Sequence, residues 1–262
     1  MKLSREESRL HHSAVSRMAS GQELTRQDRH FIARNFHEGA TSDNVQLSAF
    51  FTPEDLADHL ALNVPGNARV LDLCGGIGAL SRALLEGCQP AREVVLVEIN
   101  EEYCDAARKI LPGVEVICGS MYDDVLMAEL KSRNFDVAVS NPPFGRITKP
   151  KAARSPRFRG EAHYEAIDIA SDLAKTGVFI LPQQACPFRF SGRQSYERVA
   201  NQRYEAFSRA TGIELDIGIS IDTSVLGSFR GTKITVEIVE ADFIAARERR
   251  LPVEGDLFEL AA

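Results

Sequence analysis

Between residues 68 and 182, short apolar segments alternate along the chain with segments of helical character. The apolar segments are ARVLDL, EVVLVEI, VEVICG, FDVAVSN and GVFILP, and stretches such as ALSRALLEG and NEEYCDAARKIL lie between them. This alternation is typical of a parallel sheet that is covered by helices on both faces. Two more apolar segments, IELDIGISI and KITVEIVEA, follow near the end and indicate one antiparallel strand. We predict an α/β fold with a doubly wound, mostly parallel seven-stranded sheet that contains one antiparallel strand.

The first 45 residues are more polar and have the character of helices. SREESRLHHSAVSRMAS and LTRQDRHFIARNF each have room for one helix. In the second, Thr25 and Asp28 form an imperfect capping box, a signature of a helix start. We therefore divide the chain into an N-terminal helical extension, residues 1–45, and a main α/β domain, residues 46–262.

Composition excludes several classes of protein. Among the 262 residues, no apolar run approaches the roughly 18 that a membrane span requires. The N-terminus has no apolar signal segment, so we expect a cytoplasmic protein. The five cysteines are scattered and lack C-x-x-C spacing, which predicts reduced thiols and neither disulfides nor a metal site.

A glycine-rich turn, VLDLCGGIG at residues 70–78, joins the first strand to the next helix. The spacing of its glycines departs from the dinucleotide pattern G-x-G-x-x-G. Asp72, before the turn, would repel a pyrophosphate but suits a cationic ligand that carries an amino acid. Glu98, at the end of the next strand, suits the two hydroxyls of a ribose. S-adenosylmethionine has both groups, although Asp72 and Glu98 could instead cap the turn and the helix that follow them.

The strand FDVAVSN ends at two prolines, in VAVSNPPFG at residues 137–145. Proline lacks an amide hydrogen, so the strand must stop there, and the residue before a proline is extended. Asn141 is thereby held at a strand tip, with Phe144 on the loop behind it.

Taken in order, VLDLCGGIG, LVEIN, VICGS and FDVAVSNPPF resemble the motifs of class I methyltransferases that depend on S-adenosylmethionine. More narrowly, NPPF resembles the [DNS]-P-P-[YFW] motif of N6-adenine methyltransferases. AFFTP, at residues 49–53, resembles the F-x-T-P segment of those members in which the cofactor motifs precede the catalytic motif. The resemblance covers about residues 48–240 and implies S-adenosylmethionine as cofactor and residues 46–262 as the methyltransferase domain.

The resemblance also implies which residues bind the cofactor. Glu98 would bind the ribose, Ile99 would pack on the adenine, and Ser120 stands where Asp is common, so Ser120 or a backbone group would contact the adenine amino group. Cys74 replaces the usual first glycine, which is tolerable if its φ stays negative. The full set of implied cofactor contacts is Phe51, Thr52, Pro53, Asp72, Gly75, Gly76, Gly78, Glu98, Ile99, Ser120, Met121 and Asn141.

The catalytic residues implied by the motif are Asn141, Pro142 and Phe144. The exocyclic amine of adenine is a poor nucleophile because its lone pair is delocalised into the ring. The side-chain oxygen of Asn141 and the carbonyl of Pro142 could accept its two hydrogens, favour a tetrahedral nitrogen and free the lone pair. Phe144 would stack on the base, a contact worth about 1–3 kcal/mol, after the base is flipped out of a duplex.

A basic loop follows the motif, in GRITKPKAARSPRFRG at residues 145–160. It carries six cations and no acid, and removing them from the net charge of −6 leaves the rest of the chain at −12. Such a loop beside a catalytic strand tip predicts contacts to phosphates. We expect nucleic-acid contacts from Arg146, Lys149, Lys151, Arg154, Arg157 and Arg159, with Arg189 in PFRFSGRQ on the same edge.

The substrate remains open among three alternatives. We favour DNA over RNA, but only about 20 residues follow Glu240, so reading of the target sequence must come from loops, the N-terminal helices or a protein partner, or does not take place. A substrate chosen by its shape would suit RNA. Protein-glutamine N5-methyltransferases share N-P-P-Y and also carry N-terminal helices, whereas Phe144, the FFTP segment and the basic loop argue against that activity.

Overall fold

The computed structural model describes residues 3–38, 50–147, 155–227, 229–230 and 232–250. Within these residues, six strands form one sheet in the order β3-β2-β1-β4-β5-β8. Strand β8 is antiparallel to β5 and the other pairs are parallel. A separate pair, β6 and β7, forms a small antiparallel ribbon. The strands are β1 Arg69–Leu73, β2 Glu93–Glu98, β3 Glu115–Cys118, β4 Phe135–Ser140, β5 Ala174–Pro182, β6 Phe188–Arg189, β7 Glu197–Arg198 and β8 Val236–Asp242.

Helices connect the parallel strands and cover the sheet. The predicted class, a mostly parallel α/β sheet with one antiparallel strand, is confirmed. The helices are α1 Arg5–Met18, α2 Arg26–Asn35, α3 Glu54–Ala61, α4 Ala79–Glu86, α5 Glu101–Ile110, α6 Asp124–Ser132, α7 Ala162–Ala170, α8 Gln202–Thr211 and α9 Phe243–Arg250. Among the residues described, no helix is long and apolar enough to cross a membrane.

Burial on both faces explains the apolar sequence of the central strands. Leu71 in β1 and Phe179 in β5 belong to one core cluster, whereas Val70 and Ile180 on the same strands belong to another. Alternate residues of a strand point to opposite faces, so each strand feeds two cores. Full burial of one such side chain contributes about 1.5–3 kcal/mol, which makes this double-sided packing the main stabilisation of the sheet.

The predicted seventh strand is not formed. Of the segment IELDIGISI, only Asp216 bonds to the sheet, through two backbone hydrogen bonds of 3.0 and 2.8 Å to Glu240. Beyond it, the Ile219 amide donates to the Asn63 side-chain oxygen at 2.7 Å, so the chain leaves the sheet for the end of α3. A Cβ at Gly218 would lie 2.5 Å from Glu240 Oε1, which shows how closely the backbone passes there. The described part of the sheet therefore has six strands.

The N-terminal helices begin as their sequence predicts and pack over the glycine-loop side of the sheet. The Thr25 hydroxyl accepts from the Asp28 amide, and the Asp28 carboxylate accepts from the Thr25 amide. Ile32 and Phe36 are buried in one cluster with Leu96 of β2. The extension thus shares a core with the α/β region, and the proposed boundary at residue 45 lies outside the described residues.

Candidate active site

The glycine-rich loop forms a closed turn after β1. The Gly75 amide donates to the Val97 carbonyl at 3.0 Å, and the Gly78 amide donates to the Gly75 carbonyl at 2.9 Å. Gly78 has φ +87°, and a Cβ there would lie 2.3 Å from Leu111 Cδ1. Only glycine fits such a position. The loop is therefore shaped by its glycines, as the sequence predicts.

The F-x-T-P segment lies against this loop. Atoms of the Phe51 ring lie 3.5 Å from where a Cβ of Gly76 would be, and Gly76 has φ +56°. Thr52 and Pro53 line a cleft of about 170 Å³ together with Gly78. The structure thus brings together two sets of predicted cofactor residues that are about 20 positions apart in the sequence.

Cys74 does not keep the negative φ that we expected, because its φ is +61°. A left-handed conformation costs a non-glycine residue roughly 1–2 kcal/mol. The side chain packs into the core, where its sulfur lies 3.6 Å from the sulfur of Met121, and burial raises the pKa of the thiol. We attribute the tolerance of the strained backbone to this packing.

Glu98 and Ile99 stand together at the carboxyl end of β2. The Glu98 carboxylate accepts hydrogen bonds from the amides of Gly76 at 2.9 Å and Asn100 at 2.8 Å, and burial raises its pKa. Glu98 therefore binds two backbone amides of the protein itself, but its oxygens keep further lone pairs that the hydroxyls of a ribose could use. Ile99 is 54% exposed although it directly follows a buried strand. An acceptor beside an exposed aliphatic side chain fits the ribose and adenine of S-adenosylmethionine.

Asp72 takes the local role that we had set as the alternative. One of its oxygens accepts from the Ser81 amide at 3.1 Å and from the Ser81 hydroxyl at 2.6 Å, which holds helix α4. The side chain is fully buried, and burial raises its pKa to about 7. The other oxygen, Oδ1, is buried and has no hydrogen-bond partner among the described residues, so the contact of Asp72 with the cofactor stays a prediction.

Ser120 and Met121 follow β3 on the same edge of the sheet. The Ser120 hydroxyl accepts from the Tyr122 amide at 3.1 Å, and Tyr122 in turn donates to Glu165 at 2.7 Å. Met121 is buried against Cys74. Ser120 therefore stabilises the turn after β3, and its contact to an adenine ring stays a prediction.

Asn141 is held in one orientation at the tip of β4. Its amide nitrogen donates to the Phe50 carbonyl and to the Thr52 hydroxyl, both at 3.0 Å. Because a carbonyl can only accept, these contacts identify the nitrogen and decide which way the amide points. The side-chain oxygen is buried and has no hydrogen-bond partner among the described residues. Thr52 thus orients Asn141, and Pro53 occupies the N-cap position of α3.

Phe144 lies in an aromatic cluster beside Asn141. Its ring meets that of Phe229 edge to face at 6.1 Å, and Phe229 meets Phe50 in the same way at 6.2 Å. Phe229 is buried whereas Phe144 is half-buried, so part of the Phe144 ring remains open. Pro142, which lies between Asn141 and Phe144 in the sequence, is buried and stiffens the loop.

Arg157, one of the predicted phosphate contacts, serves the fold instead. Its guanidinium pairs with Asp168 at 3.0 Å and with Asp172 at 2.7 Å, and its amide donates to Asp168 at 2.7 Å. Asp168 is fully buried, so this pair anchors the end of the basic loop to α7. We therefore leave Arg157 out of the proposed nucleic-acid surface.

The other cations of the basic loop fall into two groups. Arg146 and Arg159 are exposed, as is Arg189 on β6. The remaining predicted contacts lie outside the described residues, namely Lys149, Lys151 and Arg154. Across the described residues, no group of three or more His, Cys, Asp or Glu side chains is placed to hold a metal ion.

Glu237 positions the segment that carries Arg189, and sequence reasoning missed it. Its carboxylate is 1% exposed and accepts from the amides of Phe190 and Ser191, both at 2.9 Å, from the Ser191 hydroxyl at 2.7 Å and from the Gln183 side chain at 2.7 Å. The available signal was the strand pattern, because Glu237 lies on the same face of β8 as the apolar Val239 and Ala241, where an acid is unexpected.

Comparisons with known proteins agree with this geometry. The model of the Methyltransferase small domain matches residues 54–162. A human tRNA (cytosine(38)-C(5))-methyltransferase is 26% identical over 126 residues, and its bovine counterpart is 27% identical over the same length. Each match covers 47% of this chain and 32% of the relative, so the chain spans about a third of the curated relatives it matches.

Among solved structures, a Listeria monocytogenes protein named as a class I S-adenosylmethionine-dependent methyltransferase superposes with a TM-score of 0.53. It is 12% identical, and the match covers 83% of this chain and 69% of that one. The sheet order and this superposition show that the chain has the α/β fold of class I methyltransferases, and the family match covers residues 54–162, less than half of the chain. They support S-adenosylmethionine as its cofactor, with which the residues at the ends of β1, β2 and β4 are compatible.

Proposed function

We propose that the protein transfers the methyl group of S-adenosylmethionine to an exocyclic amine in nucleic acid, and that this amine is N6 of adenine. One observation carries the proposal. The Asn141 oxygen is a buried acceptor without a partner among the described residues, and the amide nitrogen is held in place by Phe50 and Thr52. Buried polar atoms are normally satisfied, so an orphan acceptor at a strand tip indicates a donor on the substrate.

The arrangement favours reaction at an amine that carries two hydrogens. The Asn141 oxygen would accept one hydrogen and the Pro142 carbonyl the other, which localises the nitrogen lone pair for attack. Phe144 would supply the stacking surface for the base. When bound, S-adenosylmethionine provides a methyl group activated by its sulfonium. The chain itself has to orient the amine, and a prearranged acceptor does so without reorganisation.

The named relatives modify C5 of cytosine, but the catalytic segment of this chain fits that chemistry poorly. A ring carbon becomes nucleophilic enough only after a strong nucleophile, such as a thiolate, adds to the base. No cysteine occurs in SNPPFG at residues 140–145. Cys186 is buried and Cys74 is partly buried, and burial raises the pKa of both thiols, which disfavours the thiolate. We therefore place methylation on an amine and not on carbon.

Nucleic acid as the substrate class is supported by the exposed cations Arg146 and Arg159, in the loop that follows the NPPF motif, and Arg189, in the segment after β5. The curated relatives are named as tRNA methyltransferases, which favours testing RNA beside DNA. The preference for DNA that the sequence suggested gains no support from these comparisons. A protein partner that supplies target recognition remains part of the proposal.

The test is tritiated-methyl transfer to DNA, RNA and protein pools, followed by separation of the methylated products. We expect N6-methyladenine, and Asn141→Ala should reduce turnover at saturating cofactor by on the order of 10²-fold. Asn141→Asp should also fail, because a second oxygen would face the Phe50 carbonyl. Asn35→Ala in α2 serves as a control for loss of a side-chain hydrogen bond away from the catalytic tip. Methylcytosine, methylglutamine or full activity in Asn141→Ala would overturn the proposal.

A further inference from the structure

His163, in the first turn of α7, contacts the loop that follows the NPPF segment. We propose that His163 is a positioning residue that holds this catalytic loop in place, an inference that rests on the proposed function. The Gly145 amide donates to His163 Nδ1 at 3.3 Å, and the Ala162 amide donates to the Gly145 carbonyl at 2.7 Å. Both peptide groups of Gly145 are thereby tied to the start of α7.

The protonation of the ring follows from its partner. Because the Gly145 amide donates, Nδ1 must offer a lone pair, and the proton of the neutral ring resides on Nε2. The side chain is 4% exposed, and burial lowers its pKa to about 4, so the neutral form is present around neutral pH. Nε2 is buried without a hydrogen-bond partner among the described residues.

An unpaired buried N–H is costly, and an apolar side chain at position 163 would avoid that cost. The histidine therefore contributes something that an apolar residue cannot, and the contact that distinguishes it is the acceptor at Nδ1. Gly145 adopts φ +76° directly after Phe144, so its amide belongs to the peptide group that follows the base-stacking residue. The acceptor fixes the orientation of that peptide group.

The catalytic segment is thus held at both ends. Upstream, Phe50 and Thr52 fix Asn141; downstream, His163 fixes the peptide after Phe144. Displacements of catalytic groups by about 1 Å can cost on the order of 10²-fold in rate. Loss of the downstream contact should therefore reduce the fraction of correctly placed Phe144 and impair turnover and use of the nucleic acid, without affecting the cofactor.

Three variants separate acceptor geometry from simple stability. In His163→Asn, the amide oxygen can occupy the position of Nδ1; in His163→Gln, the amide lies one bond farther out; and His163→Leu has no acceptor. We expect turnover to fall about 10-fold or more in the Leu and Gln variants and to stay within about threefold of wild type in the Asn variant. Hydrogen exchange of the Gly145 amide should be faster in the Leu variant and near wild type in the Asn variant.

Phe207→Leu is the matched control, because it disturbs the core beneath α7 through the ring that stacks on Tyr164 at 4.7 Å and does not touch Gly145. It should lower stability and leave turnover and Gly145 exchange unchanged at permissive temperature. Equal losses in the Asn and Leu variants, or wild-type turnover in the Leu variant, would overturn the role of His163. A wild-type protein that methylates no nucleic acid would instead overturn the proposed function. The hydrogen-exchange measurement would still test whether His163 holds the Gly145 amide.

Discussion

Replacing Glu237 tests whether one buried carboxylate holds the segment from Gln183 to Ser191. In Glu237→Gln, the amide oxygen can keep the contacts that Oε1 now makes, to the Gln183 side chain and to the amides of Phe190 and Ser191. The new NH₂ group would face the Ser191 hydroxyl, which already receives hydrogen bonds from the amide and the hydroxyl of Thr223. One charge-assisted hydrogen bond is lost, which costs about 1.5–3 kcal/mol of the free energy of unfolding.

Glu237→Ala should cost more, because it leaves the amides of Phe190 and Ser191 without their acceptor. At about 1–3 kcal/mol for each unsatisfied donor, the loss should reach about 3–5 kcal/mol, a large part of a typical domain's stability. Urea unfolding followed by circular dichroism measures both variants. Glu240→Gln is the control on the same strand, since burial and Asp216 raise the pKa of the Glu240 carboxyl and neutralisation there relieves repulsion. Unfolding midpoints of Glu237→Gln and wild type that coincide would refute the reasoning.

Three more predictions follow from the same structure. Glu98→Ala should weaken binding of S-adenosylmethionine by about 1.5–3 kcal/mol in calorimetry, since a charged acceptor is lost, whereas the exposed Glu101→Ala should not; equal affinities would remove Glu98 from the site. Asp168→Asn should cost about 3 kcal/mol in urea unfolding because it breaks a buried ion pair, and an unchanged midpoint would contradict the anchoring role of Arg157. Burial keeps the His163 pKa at about 4, below its value of about 6.5 in the unfolded chain, so the unfolded chain takes up the proton first as the pH falls. Between about pH 7 and about pH 4.5 the free energy of unfolding of the wild type should therefore fall by about 2.5 kcal/mol more than that of His163→Asn. Equal decreases in the two proteins would contradict the lowered pKa of His163.

Much of the architecture could be predicted from the sequence because it is specified locally. Apolar runs of strand length, separated by helical segments, determine a parallel sheet with two buried faces whatever the details of packing. The glycine pattern predicted a tight loop after β1, since Gly78 adopts a backbone conformation that other residues avoid. The two prolines placed Asn141 at a strand tip for an equally local reason.

Other features depended on which residues meet in space. Arg157 carries a charge that the sequence suggested for nucleic acid, but its ion pair with the buried Asp168 directs it toward the fold, and Asp72 uses one of its oxygens to hold Ser81. A charged side chain buried in the core requires a partner, and only the tertiary structure decides whether that partner belongs to the protein or to a ligand. The absence of a seventh strand around Asp216 also depends on a contact in space, because the Ile219 amide donates to the Asn63 side chain and not to the sheet.

The sequence by itself determined the class of fold and the position of the NPPF motif at the tip of β4, since both rest on local pattern and on backbone restriction by proline and glycine. Only the tertiary structure decided how that motif is oriented. Phe50 and Thr52 turn the Asn141 amide, and His163 holds Gly145, through contacts between residues that are 91, 89 and 18 positions apart. No local pattern encodes such contacts, because a hydrogen bond depends on distance and angle in the folded chain and not on separation along it.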